Sequence, residues 1–166
     1  MHSMAIKINV FYEDQKKIND ILKKAGYESQ RRKFHCTIGF IEKVIPEEEA
    51  LIFGQKITRL LQEVIEPCPL LYEVEKAAHL FGHVIAFLPA AKSLVHLKKI
   101  NIWLFDKVKE ISEGQWSLNE ETFSLNYIPH LTLWRARHPD SRFKELEEVA
   151  ETHPAYQLSE AAYVIF

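Results

Sequence analysis

One order of segments occurs twice in this chain, and it constrains the fold more than any other feature of the sequence. An apolar, strand-like segment carrying the pattern His-x-Thr is followed by a short proline-containing segment, and then by a segment with helical periodicity. The first pattern begins at His35 and the second at His130. Two copies of one unit suit two related lobes that face each other across a cleft, and they are too few for a solenoid or a propeller.

Hydrophobic periodicity predicts the elements around these two patterns. Alternating or β-branched apolar runs indicate strands, and apolar stripes at helical spacing indicate helices. Asp14 is expected to cap the first helix and Gly26 to end it. A hairpin is predicted around the turn at residues 79–83. The predicted strands cover residues 5–12, 33–41, 70–76, 84–88, 127–134 and 161–166, and the predicted helices begin near residues 14, 46, 91 and 139.

These elements predict an α+β fold with two lobes, each an antiparallel sheet flanked by helices, and a central cleft between pseudo-symmetric halves. The length of 166 residues suits a single domain. We expect lobes at approximately residues 1–66 and 70–166, with strands free to exchange between them. Hydrophobic residues make up 47% of the chain and charged residues 27%, which excludes disorder and fibrous repeats.

Composition also limits the partners. A net charge of −2 argues against a large basic face, so no long duplex nucleic acid is expected, whereas a nucleotide or a short RNA fits. Two cysteines are too few for a disulfide framework and favour a reducing compartment. No N-terminal secretion signal or membrane-spanning run is recognisable. We therefore expect a soluble cytoplasmic monomer with no membrane partner.

Strand geometry separates two faces at each motif. Side chains two positions apart project from the same face, so His35 and Thr37 are predicted to point away from the core, and Cys36 towards it. A core-facing Cys36 is expected to be an inert small hydrophobe. The same argument displays His130 and Thr132 together, and Gly39 is expected to leave room for a ligand.

Two histidines supply the groups that phosphodiester hydrolysis requires. One imidazole can act as base on the attacking oxygen and the other as acid on the leaving oxygen, near neutral pH. Threonine hydroxyls can donate to the non-bridging phosphate oxygens. This chemistry requires neither a metal nor a cofactor. A single His-x-Thr pattern is common in ordinary strands, but two copies in matching contexts favour catalysis over coincidence.

The two motifs resemble those of a known family. The segments Phe34-His35-Cys36-Thr37-Ile38-Gly39-Phe40 and Pro129-His130-Leu131-Thr132-Leu133-Trp134-Arg135 are similar to the paired motifs of the two-histidine (2H) phosphoesterase superfamily. That superfamily includes RNA 2',3'-cyclic phosphodiesterases once called 2'-5' RNA ligases, and 2',5'-phosphodiesterases. The resemblance covers nearly the whole chain. It implies that His35 and His130 are the acid/base pair and that Thr37 and Thr132 bind phosphate.

Further residues are candidates for substrate contact. Arg135 lies where many bacterial members of the superfamily have an arginine, which implies a contact with phosphate or ribose. Trp134, Tyr127 and Phe81 can stack on a nucleobase, although aromatic residues in such positions are more often core. His83, in the predicted hairpin turn, can reach the cleft, but an exposed turn histidine is the simpler interpretation. A zinc site formed by His79 and His83 lacks a third ligand.

The sequence leaves the substrate open. The leading hypothesis is a metal-independent phosphodiesterase acting on a 2',3'-cyclic phosphate or a 2'-5' linkage of a nucleotide or short RNA. One alternative keeps the chemistry and changes the substrate to a cyclic dinucleotide or a signalling oligonucleotide. Another is a module that binds a nucleotide or RNA end without turnover, for which two proton-transfer groups are unnecessary.

Overall fold

A computed structural model of the chain describes the backbone of residues 1–166 and every side chain except those of Lys43 and Val44. Six strands and four α-helices account for most of the chain, which confirms the predicted α+β class. None of the helices in the described part of the chain is long and apolar enough to cross a membrane. The elements are β1 (His2–Val10), α1 (Tyr12–Ala25), β2 (His35–Ile45), α2 (Glu47–Ile65), β3 (Leu70–Leu80), β4 (Val84–Pro89), α3 (Ala91–Ile111), β5 (Leu131–Arg135), α4 (Ser141–Glu151) and β6 (Ala155–Ile165).

The six strands are all antiparallel to their neighbours, in the order β1-β2-β5-β4-β3-β6, and β6 pairs with β1 again. Two three-stranded halves make up this order. In one half β1 lies between β2 and β6, and in the other β4 lies between β3 and β5. Two short seams join the halves: β6 meets β3 over Ala155–Leu158, and β2 meets β5 at the pair Cys36–Leu131. The second seam places the two motifs side by side.

Apolar stripes fix the helices on this sheet. Helix α2 packs against β1 and β6, and α3 packs against β2, β3 and β4. Burying each large aliphatic side chain of such a stripe contributes roughly 1.5 to 3 kcal/mol, so these faces hold the helices in place. The buried apolar residues of the two stripes are Ala50, Phe53, Ile57, Leu61 and Ile65 in α2, and Leu97, Ile100, Leu104 and Val108 in α3.

The start of α1 differs from the prediction. The helix begins at Tyr12, and Asp14 lies buried in its first turn rather than at its cap. The Asp14 carboxylate accepts a hydrogen bond from the backbone N–H of Gln157 at 2.7 Å and pairs with Lys17 at 2.9 Å. This residue therefore ties α1 to β6. Gly26 ends the helix in the left-handed conformation, as predicted.

The two strands of the motifs, β2 and β5, both begin later in the chain than predicted. Strand β2 begins at His35 instead of residue 33, and β5 begins at Leu131 instead of residue 127. A 3-10 turn at Ser124–Asn126 and the missing N–H of Pro129 keep the segment before β5 out of the ladder. Each catalytic candidate histidine thus lies at, or one residue before, the first residue of its strand.

Candidate active site

The pair Cys36–Leu131 brings the two motifs together. Both of these side chains are fully buried, so they define the core-facing side of the seam. The residues on either side of each project from the opposite face. Continuing the antiparallel register by one residue in each direction places His35 opposite Thr132 and Thr37 opposite His130. Each histidine therefore lies beside the threonine of the other motif.

A β-bulge follows the threonine of each motif. In the pairing of β1 with β2, Ile38 has no partner, because the register shifts between the pairs that contain Thr37 and Gly39. In the pairing of β4 with β5, Leu133 is left out in the same way, after Thr132. Bulges are frequent next to active sites because they redirect side chains. The two motifs therefore share their backbone irregularity as well as their sequence pattern.

The two imidazoles are held in the same manner. Nδ1 of His35 lies 3.0 Å from the carbonyl oxygen of Lys33, and Nδ1 of His130 lies 2.9 Å from the carbonyl oxygen of Ile128. A carbonyl oxygen only accepts, so each Nδ1 carries a hydrogen and donates it. In the neutral ring this assignment leaves Nε2 without a proton. Both rings thus present Nε2 as the atom that can accept or return a proton.

Burial lowers the pKa of both histidines below its ordinary value. For His35, the positive charges of Lys7, His130 and Arg135 lower the pKa further, and the hydrogen bond to the Lys33 carbonyl opposes this. For His130, the hydrogen bond to the Ile128 carbonyl opposes the effect of burial. Since a charge on one ring disfavours a charge on the other, the pair is suited to hold a single proton.

A cleft of about 360 Å³ opens beside the first histidine, and we call it the histidine cleft. This volume lies in the range of small-molecule sites. Two of the predicted substrate contacts, Trp134 and Arg135, line this cleft together with His35 and Thr132. Arg32 and Lys33 lie in its wall as well, so the site is locally positive although the whole chain carries a net charge of −2. The remaining lining residues are Gln30, Phe34 and Leu133.

The aromatic candidates Phe81 and Trp134 lie at different places in the site. The Phe81 ring, 58% exposed, lies with its centroid 5.4 Å from that of His130. Trp134 is half-buried, and its ring packs against Tyr27 with a centroid distance of 5.3 Å. Phe81 therefore stands next to the second histidine, whereas Trp134 lies in the cleft of the first.

The hairpin histidines bond to backbone carbonyls. Nδ1 of His83 lies 2.8 Å from the carbonyl oxygen of Phe81, within the same turn. Nε2 of His79 lies 2.9 Å from the carbonyl oxygen of Ala136, and the N–H of Ala136 donates to the His83 carbonyl at 3.0 Å. These bonds fasten the hairpin tip to the end of β5. A contact between His83 and a substrate stays a prediction.

Tyr127 requires a correction, because it is buried and does not offer its ring to a nucleobase. Its hydroxyl donates to the carbonyl oxygen of Thr37 at 2.9 Å and lies 3.8 Å from the sulfur of Cys36. Burial raises the pKa of this hydroxyl well above its ordinary value, so it remains a donor. Tyr127 thus fixes the backbone of the first motif from the core side of the strand.

Gly39 does not open the cleft. It is buried, and a Cβ at this position would lie 2.8 Å from Cδ1 of Leu118 and 3.0 Å from Cδ2 of Leu104. The bulge at Ile38 reverses the alternation of faces after Thr37, which turns Gly39 towards the core. Cys36, in contrast, faces the core as predicted, and burial raises the pKa of its thiol to about 12.

Lys7 belongs to the site and was not predicted. It pairs with Thr37 across β1 and β2 and is half-buried. Burial lowers its pKa, as do the nearby charges of Lys33 and Arg32, while Glu160 raises it. In the sequence, Lys7 appears only as a lysine between the apolar residues of β1. A solvent-facing position on any strand would show the same pattern, so the sequence does not point to a role in the site.

The overall fold of this chain has a counterpart among known proteins. No protein-family model and no curated protein matches the sequence. Among solved structures, the chain is similar to the structure of Kluyveromyces marxianus Usb1 with uridine monophosphate, with a TM-score of 0.55 and 10% sequence identity. The match covers 99% of this chain and 96% of that chain. The likeness therefore shows a shared fold over nearly the full length of both proteins.

Proposed function

We propose that this chain is a phosphodiesterase of the two-histidine (2H) phosphoesterase superfamily. It hydrolyses a 2',3'-cyclic phosphate or a 2'-5' phosphodiester of a nucleotide or short RNA, without a metal ion. The observation that carries this proposal is the equivalent placement of His35 and His130 at the starts of adjoining strands, each with Nδ1 bonded to a carbonyl two residues earlier. The shared fold with the Usb1 structure, which contains uridine monophosphate, supports a nucleotide as the ligand.

The two imidazoles divide the proton transfers of a hydrolysis. The unprotonated Nε2 of one ring accepts a proton from water while the water oxygen bonds to phosphorus. The imidazolium of the other ring donates its Nε2 proton to the ribose oxygen as the bond from that oxygen to phosphorus breaks. The hydroxyls of Thr37 and Thr132 donate to the non-bridging oxygens, where negative charge accumulates. The pair ends with one proton, as it began, on the other ring.

The remaining contacts follow from the position of each side chain. Arg135, at the rim of the histidine cleft, is proposed to bind a phosphate oxygen. Phe81 and the exposed part of Trp134 are proposed to contact the nucleobases on the two sides of the scissile bond. His83, in the same hairpin turn as Phe81, is proposed to contact the substrate.

Product analysis on a substrate panel tests the proposed function. The panel contains 2',3'-cyclic mononucleotides, 2'-5' and 3'-5' linked dinucleotides, and a cyclic dinucleotide, each incubated with and without excess EDTA. We expect cleavage of a 2',3'-cyclic or 2'-5' substrate at a rate that EDTA does not change, because the imidazoles supply both proton transfers. Turnover that EDTA abolishes would contradict the proposal. Tight nucleotide binding without any product would indicate a binding module instead.

The pH dependence gives a second prediction. The profile of kcat/KM reports the pKa values of the free enzyme, and burial lowers both histidine pKa values. We therefore expect a bell-shaped profile with its maximum below pH 6.5, the ordinary histidine pKa. Loss of rate on the acid side reflects protonation of the base, and loss on the alkaline side reflects deprotonation of the acid.

A charge variant checks the origin of this profile. Because the charge of Lys7 lowers the pKa of His35, Lys7→Gln is expected to move one limb of the profile towards higher pH. Lys99→Gln, an exposed position on α3, is the matched control and should leave the profile in place. A maximum above pH 7 in the unmodified protein would contradict the interpretation.

A further inference from the structure

A second cleft adjoins the histidine cleft and has no role in the mechanism above. We call it the distal cleft; its volume is about 570 Å³, enough for a nucleotide. It lies between the end of β1, the first half of α1, the 27–34 loop and the middle of β6. Gln30, Arg32 and Lys33 line both clefts, so they form a ridge between the two. The other lining residues of the distal cleft are Asn9, Val10, Phe11, Tyr12, Gln15, Asn19, Arg31, Gln62, Ser159 and Glu160.

The ridge is fastened at both ends. The N–H of Gln30 donates to the side-chain oxygen of Asn19 at 2.9 Å, and the N–H of Phe34 donates to the side-chain oxygen of Gln15 at 2.7 Å. The ammonium of Lys33 pairs with Glu160 at 3.2 Å. Arg31 and Arg32 lie between these anchors and are therefore held at the crest of the ridge.

The charge of the ridge is not neutralised. Arg31 and Arg32 are exposed, and among the side chains that the structure describes neither forms an ion pair. The carboxylate of Glu160 in the same cleft is engaged, because it accepts from Asn9 at 2.8 Å and from Lys33 at 3.2 Å. The free positive charge at the ridge therefore suits a phosphodiester that passes from one cleft to the other.

Two aromatic rings line the other side of the distal cleft. Tyr12 is 70% exposed and Phe11 is 38% exposed, which is unusual for adjacent large aromatic side chains. The ammonium of Lys16 lies 5.2 Å from the centre of the Tyr12 ring. Exposed rings beside unpaired arginines are the combination that single-stranded nucleic acids require, because bases stack on the rings while cations follow the phosphates.

A buried polar atom in the distal cleft also lacks a partner. Asn9 is only 4% exposed, and its side-chain oxygen forms no hydrogen bond within the described structure. The other end of this amide donates to Glu160, which fixes its orientation with the oxygen as acceptor. An unsatisfied buried acceptor is costly, and Asn9 is a residue of the wall of this cleft.

We propose that the distal cleft binds the nucleotide next to the one that carries the reacting phosphodiester, so that the enzyme prefers the end of a single-stranded oligonucleotide to a free cyclic mononucleotide. This inference rests on the proposed function for the identity of the reacting group. The intervening phosphate crosses the ridge at Arg31 and Arg32, and the base stacks on Tyr12.

The test compares two substrates with one reacting group. The value of kcat/KM is measured for uridine 2',3'-cyclic phosphate and for a short oligouridylate that ends in the same cyclic phosphate. Tyr12→Ala and Arg31→Gln are each expected to lower kcat/KM for the oligonucleotide by about tenfold, and to change it less than about twofold for the mononucleotide. Tyr12→Phe keeps the ring and should retain the preference. Arg59→Gln, an exposed arginine on α2, is the control.

The outcomes separate this inference from the proposed function. Equal effects of Tyr12→Ala on both substrates, or no effect on either, would overturn the role of the distal cleft while leaving the hydrolysis intact. If the unmodified protein cleaves neither substrate, the 2',3'-cyclic form of the proposed function fails, and binding of fluorescein-labelled oligouridylate is measured by anisotropy instead. Affinity that falls in Tyr12→Ala and Arg31→Gln then supports the cleft, and unchanged affinity rejects it.

Discussion

His35→Asn and His130→Asn are each expected to lower kcat by about 10²- to 10⁴-fold, the usual contribution of a general acid or base. Asparagine keeps a donor for the neighbouring backbone carbonyl but cannot accept or release a proton at neutral pH. The lost rate is therefore attributable to proton transfer rather than to a disturbed strand. Steady-state rates on the substrate identified by product analysis are the measurement.

The double variant adds a stricter expectation. Because the two rings share one reaction, removing both should cost little more than removing one, as is found for residues that act as a unit. If the fold losses in kcat of the two single variants multiply in the double variant, the two histidines act independently. Thermal unfolding of each variant shows whether the fold is preserved.

His153→Asn is the matched control. Nδ1 of His153 also bonds to a backbone carbonyl, that of Val74 at 3.0 Å, but this histidine lies in the turn between α4 and β6. Its φ of 49° is one that asparagine tolerates well. We expect an unchanged kcat in this variant. A wild-type rate in either His35→Asn or His130→Asn would refute the catalytic assignment.

Local periodicity predicted much of this fold because it acts within one element. The α3 helix spans Ala91–Ile111, as its apolar stripe predicts, and the hairpin of β3 and β4 closes at the predicted turn. The burial of Cys36 also followed from simple alternation along β2. Each of these features depends on residues within a few positions of one another, so the local sequence pattern is enough to predict it.

The features that the sequence did not reveal depend on register between distant segments. Alternation alone placed Gly39 on the face of His35, and the bulge at Ile38 reverses that face only because of how β2 pairs with β1. Tyr127 appeared available for stacking because its distant partner, the carbonyl of Thr37, cannot be read from local pattern. Lys7 enters the site by strand pairing alone.

Asn101 shows how the bulge is stabilised. Ile38 is left out of the β1 ladder, and its carbonyl oxygen instead accepts a hydrogen bond from the Asn101 side chain at 2.6 Å. The same side-chain nitrogen donates to the carbonyl of Thr122 at 2.8 Å, and the side-chain oxygen accepts from the N–H of Ser124 at 3.1 Å. Asn101 is fully buried on α3. One amide therefore joins α3, the motif strand and the segment that leads to Tyr127.

Asn101→Ala is expected to lower the free energy of unfolding by about 2 to 4 kcal/mol, since it leaves the buried Ile38 carbonyl and two part-buried backbone groups unpaired, and a fully buried group costs about 1 to 3 kcal/mol. Urea unfolding followed by circular dichroism measures this change. Asn126→Ala is the control, because Asn126 is exposed and its amide donates only to the Glu120 carbonyl at 3.1 Å. We expect that variant to lose less than about 1 kcal/mol. Equal losses in the two variants would mean that the buried amide does not hold the bulge, and that packing of α3 alone positions the first motif.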